Sequence, residues 1–189
     1  LLQVHGTTIR AVADAGGAIA DPGGIDAFAL TEWVVEHGTV VGYPNAEPVE
    51  PEEFWAVDSD VVVPAALENQ VTAEVAAQLT GRVVVEAANG PTTLEAEEVL
   101  AERGIDVLPD ILVNAGGVVV SYFEWLQNRS AQRWNLDEVD VELRDVMVRA
   151  CDAVVNLREE LAITSRRDTA YALALRRLET VYQQRGIFP

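Results

Sequence analysis

Residues Val83 to Asn128, VVVEAANGPTTLEAEEVLAERGIDVLPDILVNAGGVVVSYFEWLQN, decide the fold. Val83 to Val85 is a short apolar strand that runs into the turn Ala88-Asn89-Gly90-Pro91. Thr92 and Glu95 then make a capping-box pattern at the start of a helix that closes at Gly104. Ile111 to Val113 reads as a further strand, followed directly by a second asparagine-bearing turn, Asn114-Ala115-Gly116-Gly117. Strands separated by helices of this length imply parallel βαβ units, and such folds place their ligand groups at the turns after the strands.

The alternation extends upstream. Val61 to Val63 is a buried-looking strand ended by Pro64, and Val71 to Leu79 a short helix stopped by Gly81. Nearer the start, Thr8 to Val12 suits a strand that ends at Asp14 and meets a turn-rich run from Gly16-Gly17 through Gly24. Helical spacing at Ile25, Phe28 and Trp33 follows, with Gly38 as its stop. Ala46 to Glu53, rich in proline and glutamate, is an exposed connection. Downstream, Val118 to Leu126 is apolar almost all the way round, which predicts a buried helix. Apolar residues at a 3-or-4 spacing from Leu136 to Leu161 predict a long amphipathic helix, and Tyr171, Leu175, Leu178 and Val181 another that ends at Gly186.

Composition narrows the function classes. The chain has 189 residues, and its 49% hydrophobic content is ample for a packed core. All 13 residues of the Lys+Arg count are arginine; against 31 Asp+Glu they leave a formal charge of -18. A surface this negative repels phosphate backbones and anionic membranes, so neither nucleic acid nor a membrane is an expected partner. Such a lysine-free composition fits either a saline cytoplasm or a GC-rich coding bias. The single cysteine, Cys151, reads as an inert thiol on an apolar helix face. No apolar run approaches the ~20 residues that span a bilayer, and no signal-peptide pattern opens the chain, which reads as cytoplasmic. The start Leu1-Leu2-Gln3, with Met147 the only methionine, reads as a fragment that begins upstream.

In a dinucleotide-binding fold the acidic residue that holds the adenosine ribose ends the second strand, about 20 residues after the glycine loop. Counting back from Asp14 lands before Leu1, so the expectation is a Rossmann-like, doubly wound, mainly parallel α/β sheet truncated at its N-terminus and followed by C-terminal helices. Leu1 to Gly6 would be the tail of its first helix. Residues 1–130 form the partial dinucleotide-binding domain and 131–189 the helices. Asp14 is then either the ribose ligand or a strand-ending turn former. Asn89 and Asn114 have ordinary readings as a turn residue and a helix N-cap. Together, at the ends of successive strands, they can supply uncharged hydrogen bonds to a nicotinamide or ribose. Gly116 and Gly117 would let a flat ring approach the backbone. Ser121 either bonds back to the carbonyl one turn earlier or faces a cleft. His5 and His37 have no second ligand at metal-site spacing, so no metal site is expected. Trp125 and Trp134 read as core or interface aromatics.

Ala11-Val12-Ala13-Asp14, Pro64-Ala65-Ala66, Glu86-Ala87-Ala88-Asn89-Gly90-Pro91, Asn114-Ala115-Gly116-Gly117-Val118, Ser121-Tyr122-Phe123-Glu124-Trp125, Arg167-Asp168 and Ala170-Tyr171 together resemble the C-terminal part of hexameric glutamate dehydrogenases. These belong to a wider superfamily with the leucine, valine and phenylalanine dehydrogenases. The resemblance implies that Asn89 and Asn114 contact the nicotinamide half of NAD or NADP, and that Ala65 and Ala66 line the adenosine ribose region. It implies that Gly117 and Val118 border the reacting ring and substrate, and that Ser121 helps hold the substrate side-chain carboxylate. It also implies a homohexamer in which the helices beyond Leu136 pack back toward a substrate domain.

The reaction implied is reversible oxidative deamination. A hydride leaves Cα of L-glutamate for nicotinamide C4, and water hydrolyses the imine to 2-oxoglutarate and ammonia. The chemistry needs a general base and a cation that polarises the developing carbonyl. In the family these are an aspartate and lysines of the preceding domain, and no residue here is assigned a catalytic role, so the chain alone is expected to be inactive. In the strand order 3-2-1-4-5-6 the first strand is central, so the segment by itself is also expected to fold poorly. The alternatives are a leucine, valine or phenylalanine dehydrogenase relative and a non-catalytic regulatory subunit of the same fold.

Overall fold

Asp14 sets the first tight turn. In the computed structural model, which describes residues 2–186, strand β1 (Ile9–Asp14) returns as β2 (Gly17–Ile25) through Ala15-Gly16. The Asp14 carboxylate accepts the Gly16 amide at 2.7 Å, so the side chain closes the turn. The chain divides into two compact units. The first holds the residues up to Val62, Asn69–Val83 and Thr92–Ile105; the second holds Val63–Glu68, Val84–Pro91 and the described residues from Asp106 onward.

The run expected to be mere turns is the strand β2, a correction to the sequence reading. It pairs antiparallel with β1 and with β3 (Glu47–Val49), in the order β1-β2-β3. Ile9 pairs with Ile25 but Ala11 pairs with Ala20, so Asp21-Pro22-Gly23-Gly24 bulges out of the ladder. Asp21 accepts the Gly23 amide at 2.7 Å and Arg10 donates to the Pro22 carbonyl at 2.8 Å, which satisfies the bulge locally. Glycine and proline there mark an interrupted strand. Helix α1 (Ala27–His37) starts on an Asp26 cap and stops at Gly38, whose φ of 78° is left-handed. Ile19, Ile25, Leu30, Val40 and Tyr43 form the core between this helix and the sheet. Helix α2 (Pro51–Phe54) is a single turn. At the start, Gln3–His5 is a short 3-10 turn capped by Gly6; of the expected helix tail, Leu1 lies outside the described residues.

Strands β4 (Val61–Val62), β5 (Val83–Val85) and β6 (Asp106–Leu108) form a second sheet in that order. Val83 donates to the Asp60 carbonyl and Ala87 to the Pro64 carbonyl, so the two chains advance together and β4 and β5 are parallel. Helices α3 (Ala73–Gln78) and α4 (Leu94–Glu102) connect the strands, as expected of βαβ units. The cap of α4 is Thr93, which accepts the Ala96 amide, and the Thr92/Glu95 box is corrected by one residue. Thr92 is held in a parallel bridge to Val71, so its backbone is still extended where capping geometry is needed. Arg103 donates both to the Leu79 carbonyl, at 2.7 Å, and to the Ala76 carbonyl, stapling the end of α3.

A second correction concerns Ile111 to Val113. These residues belong to the helical turn α5 (Asp110–Val113), and the strand is β6, five residues earlier. Pro109 cannot donate to a ladder and sits at the N-cap with Asp110 in the first turn, which favours helix. Helices α6 (Ala115–Ser130), α7 (Leu136–Leu161) and α8 (Arg166–Arg185) follow. Asn135 and Glu138 make a reciprocal capping box at α7, and Ser165 caps α8. The burial expected along Val118 to Leu126 is confined to Phe123, against which Trp134 packs; Val118 is 75% exposed. One face of α6 is enough to pack α5 and α7, and its remaining apolar residues face outward within this chain. Cys151 is exposed rather than in the core, because the buried line of α7 runs through Val154 and Leu157. No described helix is long and apolar enough to cross a membrane.

Candidate functional site

The second unit gathers the segments that follow the parallel strands. The Pro64 carbonyl accepts the amides of Ala87 and Ala88, both at 3.0 Å, which lays the Pro64-Ala65-Ala66 segment beside the Glu86-to-Pro91 turn. Ala65 and Ala66 are exposed there. Asn89 and Asn114 meet: Asn114 Nδ2 donates to Asn89 Oδ1 at 2.5 Å. Asn114 stands at the N-cap position of α6, but its side chain makes no capping hydrogen bond. The ordinary explanation for an asparagine at a helix start therefore does not account for it. With this pairing, Asn89 keeps its amide donors and Asn114 its carbonyl oxygen, a set complementary to a carboxamide.

Gly117 follows within the first turn of α6. A Cβ built there meets nothing within 4 Å, and one at Gly116 meets only Leu143 at an ordinary 3.7 Å. The protein's own packing thus does not require glycine at 117, although glycine is a poor helix former. Val118 is exposed next to it, and one turn on the Ser121 hydroxyl donates to the Gly117 carbonyl at 3.0 Å.

Beneath the asparagines lies a charged cluster of Glu86, Asp110 and Arg167; Glu86 and Arg167 fall within the motifs quoted above, Asp110 does not, and none of the three has a role assigned from sequence. Glu86 is fully buried. Its Oε2 accepts the Asp110 amide at 2.8 Å and Arg167 Nη2 at 2.6 Å. Arg167 Nη1 donates to Asp110 Oδ1 at 2.7 Å, and Asp110 Oδ2 accepts the Gly90 amide at 2.8 Å. Burial opposes the Asp110 charge, but the Gly90 and Ile111 amides and Arg167 outweigh it and hold the carboxyl below its ordinary range. Nearby, Arg166 forks onto both oxygens of Asp106, and this bonding holds Asp106 low and raises the arginine. The available signal was a glutamate at the end of an all-valine strand, since a buried carboxylate requires a partner.

Asp14 belongs to the first unit. Its carboxylate accepts Thr39 Oγ1 at 3.0 Å and the Val40 amide at 2.7 Å in addition to Gly16. Slight burial works against the charge, but the Val40 and Gly16 amides and the Thr39 hydroxyl keep its carboxyl below the usual range. Trp125 is exposed, stacked on Tyr122 with the Arg129 guanidinium 4.9 Å from its ring.

The family model for Glutamate/Leucine/Phenylalanine/Valine dehydrogenase matches residues 1–186. The NAD-specific glutamate dehydrogenase of Clostridioides difficile is 46% identical over 89% of this chain and 40% of its own length. The NADP-specific glutamate dehydrogenase A1 of Halobacterium salinarum is 43% identical over 100% of the chain and 46% of its own length. The crystal structure of the hetero-hexameric glutamate dehydrogenase from Thermus thermophilus, in its Leu-bound form, superimposes with a TM-score of 0.90 at 32% identity, covering 99% of this chain and 44% of that one. The chain thus spans less than half the length of these relatives. With parallel strands, paired asparagine turns and a match along almost its whole length, this chain belongs to the Glutamate/Leucine/Phenylalanine/Valine dehydrogenase family.

Proposed function

We propose that this chain is the cofactor-binding part of an NAD(P)-dependent glutamate dehydrogenase, which interconverts L-glutamate with 2-oxoglutarate and ammonia. The observation that carries the reading is the Asn89–Asn114 contact beside the open space over Gly117. An amide pair with spare donors and an acceptor suits the nicotinamide carboxamide, and a glycine that the fold does not need suits a ring lying on the helix start. Bound there, NAD or NADP would accept the hydride from the amino acid. Ala65 and Ala66 leave room for the adenosine ribose, and Asp14, held ionised by its turn, is assigned to ribose recognition.

In this reading Gly117 and Val118 border the substrate, and Ser121 meets its side-chain carboxylate once its hydroxyl leaves the Gly117 carbonyl. A bare aliphatic substrate gives that hydroxyl no partner, which favours glutamate over leucine or valine. The general base and the cations of the reaction are assigned to the part of the relatives' length that this chain does not span. Residues 1–130 act as the dinucleotide-binding part, and residues 131–189 close toward the substrate-binding part. The intact protein works as a homohexamer in the cytoplasm.

Glutamate-dependent reduction of NAD and of NADP by the intact protein tests the reading: turnover with one of them is expected, and turnover with leucine, valine or phenylalanine but not glutamate overturns it. A second reading is supported by the relative solved as a hetero-hexamer. There this chain belongs to a regulatory subunit that binds an effector, and the same assay would show no turnover with any amino acid until a second kind of subunit is added.

A further inference from the structure

Arg167 lies far along the chain from both asparagine turns, on the first turn of α8, yet its hydrogen bonds lead to each of them. Its two nitrogens grip Glu86, at the end of β5, and Asp110, at the start of α5. Asp110 then divides. Its carboxylate accepts the amide of Gly90, the residue after Asn89, and its main-chain carbonyl accepts the amide of Asn114 at 2.9 Å. Gly90 has a φ of 52°, a left-handed conformation, so the course of the Asn89 turn depends on what holds this amide. Glu86 completes the loop by accepting the Asp110 amide. The Arg167 side chain is only 17% exposed and Glu86 is not exposed at all, which keeps these bonds out of competition with water.

We propose that Arg167 is a positioning residue for dinucleotide binding: with Glu86 and Asp110 it fixes the relative placement of Asn89 and Asn114, and so couples helix α8 to cofactor affinity. This rests on the dinucleotide reading above. A planar two-pronged donor is required, because one guanidinium must serve two carboxylates on separate segments at once. Removing it leaves the buried Glu86 charge uncompensated and leaves the Asp110 carboxylate to the local Gly90 and Ile111 amides, without its tie to α8.

The test uses the intact protein and titrates NADH and NADPH by fluorescence, alongside thermal melting. Arg167→Met is expected to lower the melting temperature and to raise the Kd for whichever dinucleotide the parent binds by about tenfold or more, the usual scale for a misplaced binding group. Glu86→Gln added to Arg167→Met removes the stranded charge, so melting recovers while the Kd stays raised, because Asp110 still lacks its tie to α8. Arg176→Met, which breaks only the exposed pair with Glu160, serves as a control with unchanged Kd. A double variant that recovers both melting and affinity overturns the proposal and leaves Arg167 a purely structural residue. If that double variant does not fold, Arg167→Lys decides: it keeps the charge but not the fork, and an unchanged Kd overturns the coupling. A parent that binds neither dinucleotide overturns the functional reading itself, and the proposal with it, before any variant is compared.

Discussion

Replacing Gly117 by alanine separates what the fold needs from what a ligand needs. The residue sits in the first turn of α6 with an ordinary helical φ, and the added Cβ would meet no atom within 4 Å. Glycine to alanine inside a helix is worth about 1 kcal/mol, and about half of that is expected in a first turn. For a domain of 150–250 residues, 0.5 kcal/mol corresponds to a rise of roughly 1–2 °C in melting temperature, and a larger intact protein shows a smaller rise. A nicotinamide ring lying on that backbone would instead meet the new methyl group. Forcing an extra carbon into a close contact costs about 1–3 kcal/mol, which weakens dinucleotide binding roughly 5- to 150-fold. Calorimetry on the intact Gly117→Ala protein, with and without NADH or NADPH, reads both effects. A stabilised variant with parental affinity would refute a ring over Gly117, and a destabilised one would refute the open space above it.

Further outcomes follow from single contacts. Asn114→Ala breaks the exposed amide pair with Asn89 and should change stability by no more than about 1 kcal/mol while weakening dinucleotide binding tenfold or more; equal binding by titration would remove the pair from the site. Asp106 has its folded pKa pulled below the ordinary 3.8 by Arg166. Its contribution is therefore complete above that value and is lost as pH falls through the lower folded one. Asp106→Asn should flatten the acid end of the stability profile below about pH 4 and leave its shape at pH 6–8 unchanged, as urea unfolding across pH can show. Thr93→Ala should cost about 1 kcal/mol through loss of the α4 cap. Thr92→Val should cost nothing or stabilise, since the buried Thr92 hydroxyl has no partner; a reversal of the two in denaturant melts would place the cap back at Thr92.

The parts of the fold legible in the sequence are those specified locally. Val83 to Val85 is a run of β-branched residues suited to a strand, and Gly38 and Gly186 end helices because of their own backbone freedom. The misplaced strand at Ile111 to Val113 shows the limit: four apolar or acidic residues after a proline are compatible with strand or helical turn, and only the Asp110 contacts choose. The β2 strand was hidden because its ladder is interrupted by a bulge rich in the residues that usually mark a loop. The asparagine turns were visible, since short turns after strands carry their own signal, but their mutual contact is nonlocal and was not. The cluster beneath them draws on Glu86, Asp110 and Arg167 from three distant segments, and no spacing rule joins such residues.

The chain's preference for arginine over lysine has a structural component at three positions. Arg103 spans two carbonyls at the end of α3, Arg166 grips both oxygens of Asp106, and Arg167 bridges two carboxylates. A primary ammonium on a flexible stem offers no rigid fork, so the usual drift between the two basic residues is blocked at these sites. At Arg82, Arg149 and Arg176 the side chains reach only exposed carboxylates, and lysine would serve nearly as well. Lysine introduced at those three surface positions would give this chain its first reactive side-chain amines, handles for cross-linking or labelling placed where the fold tolerates them.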